Sequence, residues 1–360
     1  MAGIYIHIPF CKSRCIYCGF YSTTHHEMRQ RYVDAVCHEW QKYKESLKES
    51  VDTVYIGGGT PSQLEVPQLR QILDVLPKGA KEITIECNPD DITEEYADAL
   101  SELPVNRVSM GAQTFDDERL RFLHRRHTSK QVPEAVRLLR SAGIRNISVD
   151  LMFGFPNETI EDWTKDIEAA LMLDVEHISA YCLMIEEGTA LYDTGLEAAN
   201  EEVERQMYEV LIEKLTAAGY EHYEISNFAR PRYRSQHNSS YWNGTTYIGL
   251  GAAAHSYDGK ERRWNISDVK EYCRRIEKGL SVVEEREIID EDTRFNDRVM
   301  TGLRTREGID LTTLPFREQL LSDAKVHLEN GLLAITDNRL HLTRKGLFVS
   351  DMVMSDLMRV

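Results

Sequence analysis

Short apolar, β-rich runs recur along the first half of the chain, at residues 4–8, 53–56, 82–86, 107–110, 147–151 and 177–181. Segments with helical amphipathic spacing fill the intervals, at 31–47, 68–76, 94–100, 130–142 and 160–171. Strand alternating with helix at this spacing predicts a parallel sheet. Right-handed crossovers would curl about six such units into a barrel or part of one. The punctuation agrees: Asn157-Glu158-Thr159 opens one helix and Gly143 closes another.

Beyond about Gly188 the pattern changes. Residues 201–218 read as a long, charge-rich helix, and 223–251 are dense in aromatics, Asn and Gly with little periodicity, as in ordered loop with short strands. From about Asp290 a third region begins. A helix over 317–329 leads to a strand at 332–336, a turn at Asp337-Asn338, a strand at 340–343 and a helix over 345–358. Helix, hairpin, helix resembles a winged-helix module, for which a structural or lid role is expected. The expected division is a barrel core over 1–188, an extension over 189–289 and a winged-helix-like α+β domain over 290–360.

Composition narrows the class. With 42% hydrophobic and 28% charged residues the chain is ordinary globular protein, and no apolar run reaches the roughly 18 residues of a membrane span. The opening MAGIYIHIPF lacks a basic region and a cleavage site, and reads as a buried strand. A net charge of −16 disfavours nucleic acid as a partner and makes bulk attraction to anionic membranes weak. Seven cysteines, four of them scattered, are not a disulfide framework and fit a reducing cytoplasm.

In parallel barrels, chemistry gathers at the carboxyl ends of the strands. Here successive strands run into the cysteine loop, Gly57-Gly58-Gly59-Thr60-Pro61, Glu86-Cys87-Asn88-Pro89, Gly111-Ala112-Gln113, and Asp150 followed by Gly154-Phe155-Pro156. Taken singly these could be turns; together they mark a site. The loop itself, HIPFCKSRCIYCGFY, places Cys11, Cys15 and Cys18 as Cys-x3-Cys-x2-Cys. Zinc would need a fourth ligand from His7, His25 or His26. A redox pair would use Cys15 and Cys18 and leave Cys11 idle. An iron–sulfur cluster could use all three and keep one iron open.

The spacing, with Tyr17 just before the last cysteine, resembles the cluster loop of radical S-adenosylmethionine (SAM) enzymes, whose fold is a partial (β/α)6 barrel. YIHIPFC, GGGTP, ECNP, GAQTF, the stretch His124–His127 and DLMFGFP resemble, in order, the oxygen-independent coproporphyrinogen III oxidase family, and GLRTREGIDL resembles its carboxyl-terminal domain. The resemblance implies a 4Fe–4S cluster on Cys11, Cys15 and Cys18, with Tyr5, Tyr17, Gly58, Gly59, Thr60 and Glu86 around the cluster and SAM. Gln113, Arg125 and Asp150 match positions that hold a second SAM in the oxidase. For Glu86 and Asp150 alone, capping of the next helix is the competing role.

Two departures separate this chain from the oxidase. A further cysteine two residues after the third is replaced by Phe20, and the first strand begins within a few residues of Met1, so the oxidase's amino-terminal extension is not expected. His237-Asn238-Ser239-Ser240-Tyr241-Trp242 resembles the His-Asn-x2-Tyr-Trp motif of the family's haem chaperone branch, with His237 the expected haem ligand and His255 or a cysteine as alternatives. That branch implies haem binding and delivery to apo-haemoproteins, including membrane-bound respiratory enzymes. It also implies a homodimer, peripheral membrane association and a reductant such as ferredoxin or flavodoxin. The competing activity is radical oxidative decarboxylation of coproporphyrinogen III or another tetrapyrrole.

Overall fold

The computed structural model describes residues 2–359 apart from Ser46 and Lys48. Its first six strands are β1 (Ala2–Ile8), β2 (Val51–Gly58), β3 (Glu82–Cys87), β4 (Arg107–Gln113), β5 (Asn146–Phe153) and β6 (His177–Cys182). They lie side by side in chain order, all parallel, each pair bridged by helical crossovers. The helices expected between them form, with small shifts at their ends. The first runs Arg29–Tyr43, and part of its expected extension to residue 47 lies on Ser46, outside the described residues.

Side chains on these strands alternate. Ile4, Ile6 and Ile8, Val54 and Ile56, Ile83 and Ile85, Val108 and Met110, Ile147 and Val149 are buried outward against the helices. The alternate positions point into the lumen and are largely polar: Tyr55, Thr84, Glu86, Ser109, Ser148, Asp150 and Ser179. Trp163, fully buried on helix Ile160–Met172, packs on Phe153 at 5.1 Å and donates its indole N–H to the Met207 carbonyl at 3.0 Å. That helix starts at Thr159, which forms a capping box with Asp162.

The extension is part of the same sheet. β7 (Glu221–Glu224) and β8 (Asn227–Ala229) add antiparallel strands beyond β6. β9 (Thr246–Leu250) pairs parallel with the free side of β1, and β10 (His255–Tyr257), β11 (Glu261–Asn265) and β12 (Val283–Ile288) continue antiparallel from it. The order β12-β11-β10-β9-β1-β2-β3-β4-β5-β6-β8-β7 has two free ends, so the barrel is open.

The region expected to be loop and short strands holds a helix, Gln236–Trp242. Its start is set from outside: the Glu82 carboxylate accepts the backbone N–H groups of Gln236 and His237, both at 2.9 Å, while Ser235 caps Asn238. No local periodicity announces it.

The carboxyl-terminal region has its own apolar cluster around Phe295, Val299, Leu320, Leu340 and Val353. β13 (Ile309–Asp310), β14 (Leu333–Thr336) and β15 (Arg339–Leu342) form a small antiparallel sheet with β15 central. Asp337 and Asn338 make the hairpin turn at φ 50 and 58, as a tight two-residue connection requires. Both expected long helices break in two. The first breaks at Ala324, and the second where Val349 leaves helical geometry after a short turn capped by Thr343. Among the described residues no helix is long and apolar enough to cross a membrane.

Candidate functional site

A cavity of about 670 Å³ opens at the carboxyl ends of β1 to β6. Cys11, Cys15 and Cys18 border it; Cys11 is buried and the other two half-buried. The loop carrying them is pinned at several points. The Cys11 N–H donates to the Thr23 carbonyl and the Thr23 N–H to the Pro9 carbonyl across the loop neck, and Ile16 sits in a separate apolar cluster with Leu123, Met152, Phe155, Leu183 and Leu191. An apolar residue between the second and third cysteines thus anchors the thiols without touching their chemistry. All described cysteines are free thiols.

The glycine run is explained by crowding. A Cβ on Gly59 would lie 2.9 Å from Cys11 Sγ and 2.8 Å from the Pro9 carbonyl carbon. Gly58 has φ +117, and a Cβ there would meet the His7 ring at 2.7 Å. The backbone after β2 can therefore press against the cysteine loop only because side chains are missing. Thr60 donates its hydroxyl to Cys11 Sγ at 3.5 Å, and Arg125 Nη1 reaches Cys15 Sγ at 3.6 Å. Burial raises the Cys11 and Cys18 thiol pKa values, so metal or nearby donors must offset desolvation to hold thiolates there.

Glu86 accepts from Tyr55 Oη at 2.8 Å and from the Gly58 N–H at 3.0 Å. Burial first, and Asp150 second among the raising causes, push its pKa up to about 7 despite these bonds. Asp150 lies across the lumen with Ser109 donating at 3.3 Å, and burial raises it too. Arg125 Nη2 is held by Asn88 Oδ1 at 2.7 Å and the Gly111 carbonyl at 2.6 Å, which aims the guanidinium into the cavity. Its Nε is buried without a hydrogen-bond partner among the described residues. Arg107 is fully buried deeper in the lumen, with Nε and Nη1 unpartnered among the described residues, and its charge favours the ionised forms of Glu86 and Asp150.

The structure thus gathers Cys11, Cys15, Cys18, Tyr17, Gly58, Gly59, Thr60, Glu86, Gln113, Arg125 and Asp150 at one cavity. Tyr5 stands behind it, stacked on Tyr55 at 6.2 Å and sharing a hydrogen bond with His7. His237 is elsewhere. It is fully buried, with Nδ1 bonded to Thr53 Oγ1 at 2.8 Å and Nε2 to Tyr241 Oη at 2.9 Å, and its ring stacks on Tyr55 at 5.1 Å. Both ring nitrogens are hydrogen-bonded. His255 is exposed and stacked on Trp264 at 5.6 Å. The expectation missed Tyr55, Ser109 and Tyr181, which line the cavity together with Asn88 and Asn238 of the motifs already noted; polar residues alternating with apolar ones within each strand are the signal that would have found them.

The site is chemically suited to the groups its cysteine spacing suggests. Among the described residues no three His, Cys, Asp or Glu side chains converge as for a single metal ion, whereas one thiolate per iron needs thiols arranged around a common space. Carboxylates and a buried guanidinium facing the same space suit a zwitterion that also carries a sulfonium.

Comparison with known proteins agrees with this geometry. A family model of the radical SAM superfamily matches residues 5–170, and one of the HemN C-terminal domain matches residues 289–349. The chain is 35% identical to the "Heme chaperone HemW" of Bacillus subtilis (strain 168), over 96% of both chains. It is 35% identical to the protein of that name from Escherichia coli (strain K12), over 70% of this chain and 69% of the other. The solved structure of coproporphyrinogen III oxidase (HemN) from Escherichia coli, a radical SAM enzyme, superposes with a TM-score of 0.85 at 21% identity, covering 99% of this chain and 90% of that one. This last likeness speaks for the fold.

Proposed function

The chain belongs to the haem chaperone HemW family within the radical SAM superfamily, and from that premise we propose that it binds a 4Fe–4S cluster, SAM and haem and hands the haem to apo-haemoproteins such as respiratory enzymes. The observation that carries this reading is the kinship with haem chaperones along 96% of the chain. Phe20 adds to it. It is 70% exposed at the rim of the cavity, where the oxidase-like sequence would place another cysteine.

In this reading Cys11, Cys15 and Cys18 hold the cluster. The cluster, when bound, supplies an iron with an open position for SAM. The chain's own residues do the rest. Thr60 donates to Cys11 Sγ and favours its thiolate form, and Arg125 donates to Cys15 Sγ. Glu86 and Asp150 offer carboxylates to the cationic parts of SAM, and Arg125 offers a guanidinium to its carboxylate. Tyr55 and the Gly58 N–H fix the direction of Glu86, while Tyr5 and Tyr17 close the cavity from behind and beside.

The decisive experiment loads the cluster-reconstituted protein with haemin under anaerobic conditions, then adds an apo-haemoprotein and follows the Soret band. Saturable one-to-one uptake followed by transfer is expected. Absence of specific uptake would sink the chaperone reading and send attention to SAM cleavage with coproporphyrinogen III, the competing activity.

A further inference from the structure

The barrel lumen holds one guanidinium that no bond accounts for. Arg107 opens β4, and the next lumen-facing positions on that strand are Ser109 and Gly111. In register it lies beside Thr84 of β3 and Asn146 of β5, one layer below Glu86 and Ser109. A layer is two residues along a strand, or about 6–7 Å. Ser109 in turn donates to Asp150 at 3.3 Å. The guanidinium therefore belongs to the floor beneath the two carboxylates, and it does not itself line the cysteine cavity. Its Nε and Nη1 are buried without a hydrogen-bond partner, as is Thr84 Oγ1 beside it, and Arg107 makes no ion pair among the described residues. A cation buried in this way is costly unless opposite charge stands near.

The other groups around it are already committed. Glu82 accepts the backbone N–H groups of Gln236 and His237, and Glu224 is paired with Arg304. Burial keeps His177 and His237 neutral, and their rings are bonded to Ser148 and Tyr223 and to Thr53 and Tyr241. Burial likewise keeps the Tyr55 and Tyr223 phenols protonated. At the cavity itself Arg125 is held by Cys15, Asn88 and Gly111. That leaves Glu86 and Asp150. Glu86 is bonded to Tyr55 and the Gly58 N–H, and Asp150 to Ser109, all neutral donors. Neither carboxylate makes an ion pair among the described residues. One unpaired guanidinium and two unpaired carboxylates thus share one lumen.

Resting on the SAM-binding reading above, we infer that Arg107 is a positioning residue of the SAM site: as a fixed counter-charge beneath Glu86 and Asp150, it keeps both carboxylates ready for a cationic ligand that enters from above. It acts through them and touches no ligand. The order of the layers sets the sign of the effect. A ligand entering at the carboxyl ends of the strands meets the carboxylates first, with the guanidinium behind them, so attraction outweighs repulsion.

The test is the SAM affinity of the full-length, cluster-reconstituted protein, measured anaerobically at pH 7 and pH 8.5. The variants are Arg107→Gln, which removes the charge, and Arg107→Lys, which keeps it. Loss of the counter-charge moves the ionisation of Glu86 upward by about one pH unit. Arg107→Gln should therefore bind SAM roughly fivefold more weakly at pH 7, yet within about twofold of wild type at pH 8.5. Arg107→Lys should stay within about twofold of wild type at both. Unchanged iron and sulfide content serves as the folding control. An equal loss at both pH values in Arg107→Gln marks a role in packing alone and overturns the inference, as does a wild-type profile in that variant. If Arg107→Gln fails to hold iron, Arg107→Lys decides: affinity kept at both pH values supports the counter-charge, and affinity lost at both overturns it. Wild-type protein that binds no SAM at either pH overturns the SAM-binding reading itself.

Discussion

At the scale of single residues, Glu86 is the group whose state should be visible in solution. Its pKa of about 7 leaves it partly protonated near neutrality. A cationic ligand favours the carboxylate, so SAM affinity should rise as pH rises through about 7 and flatten above it. Glu86→Gln should remove that pH dependence and weaken binding roughly tenfold, with iron content unchanged; isothermal titration at pH 6 and pH 8 reads both effects. Gly59 makes the opposite kind of prediction. A methyl group 2.9 Å from Cys11 Sγ must displace the loop, so Gly59→Ala should cost about 1–3 kcal/mol and lower cluster occupancy after reconstitution. Full iron and sulfide in that variant would mean the close approach is not needed.

At the scale of elements, the barrel strands were legible and their ends were not. Outward-facing Ile, Val and Leu announced each strand, but the apolar run at 107–110 stops where Gly111 and Gln113 begin, while the ladder continues to Gln113. The residues that end the apolar pattern are the ones that build the site, so hydrophobicity understates each strand at its functional end. Helix Gln236–Trp242 was illegible for another reason. Its cap comes from Glu82, more than a hundred residues away in sequence, and its histidine is satisfied by Thr53 and Tyr241. A motif reading identifies His237 as chemistry; in the fold both of its ring nitrogens are hydrogen-bonded. Burial, aided by Arg107, pushes its pKa down to about 3. A histidine neutral in the fold and titrating near 6.5 when unfolded stabilises fully above pH 6.5 and progressively less as pH falls toward 3. The stability of the wild type against urea should therefore fall on acidification by up to about 1.4 kcal/mol per pH unit from this group. His237→Gln should reduce the slope by one proton; an identical slope would place the titration elsewhere.

At the scale of the molecule, the carboxyl-terminal region is fastened to the barrel by ion pairs that include Arg234–Glu307, Arg262–Asp297 and Arg344–Glu213, and one further pair uses a wholly buried carboxylate. Arg304 gives two hydrogen bonds, at 2.7 and 3.0 Å, to one oxygen of Glu224, whose side chain is wholly buried, and lies over the Trp242 ring at 4.9 Å. Removing the cation strands a buried carboxylate, which typically costs about 3–5 kcal/mol. Arg304→Ala should lower the melting temperature and loosen the region first, seen as early deuterium uptake over residues 289–349. Uniform uptake across both regions would argue that apolar contacts alone hold them together.

The pairing of β1 carries a consequence for synthesis. One edge of β1 is covered by β2, which leaves the ribosome early, and the other by β9, which follows only after roughly 190 further residues, or about ten to forty seconds at typical elongation rates. During that interval the strand leading into the cysteine loop offers a bare row of backbone donors and acceptors, a template for misplaced strands.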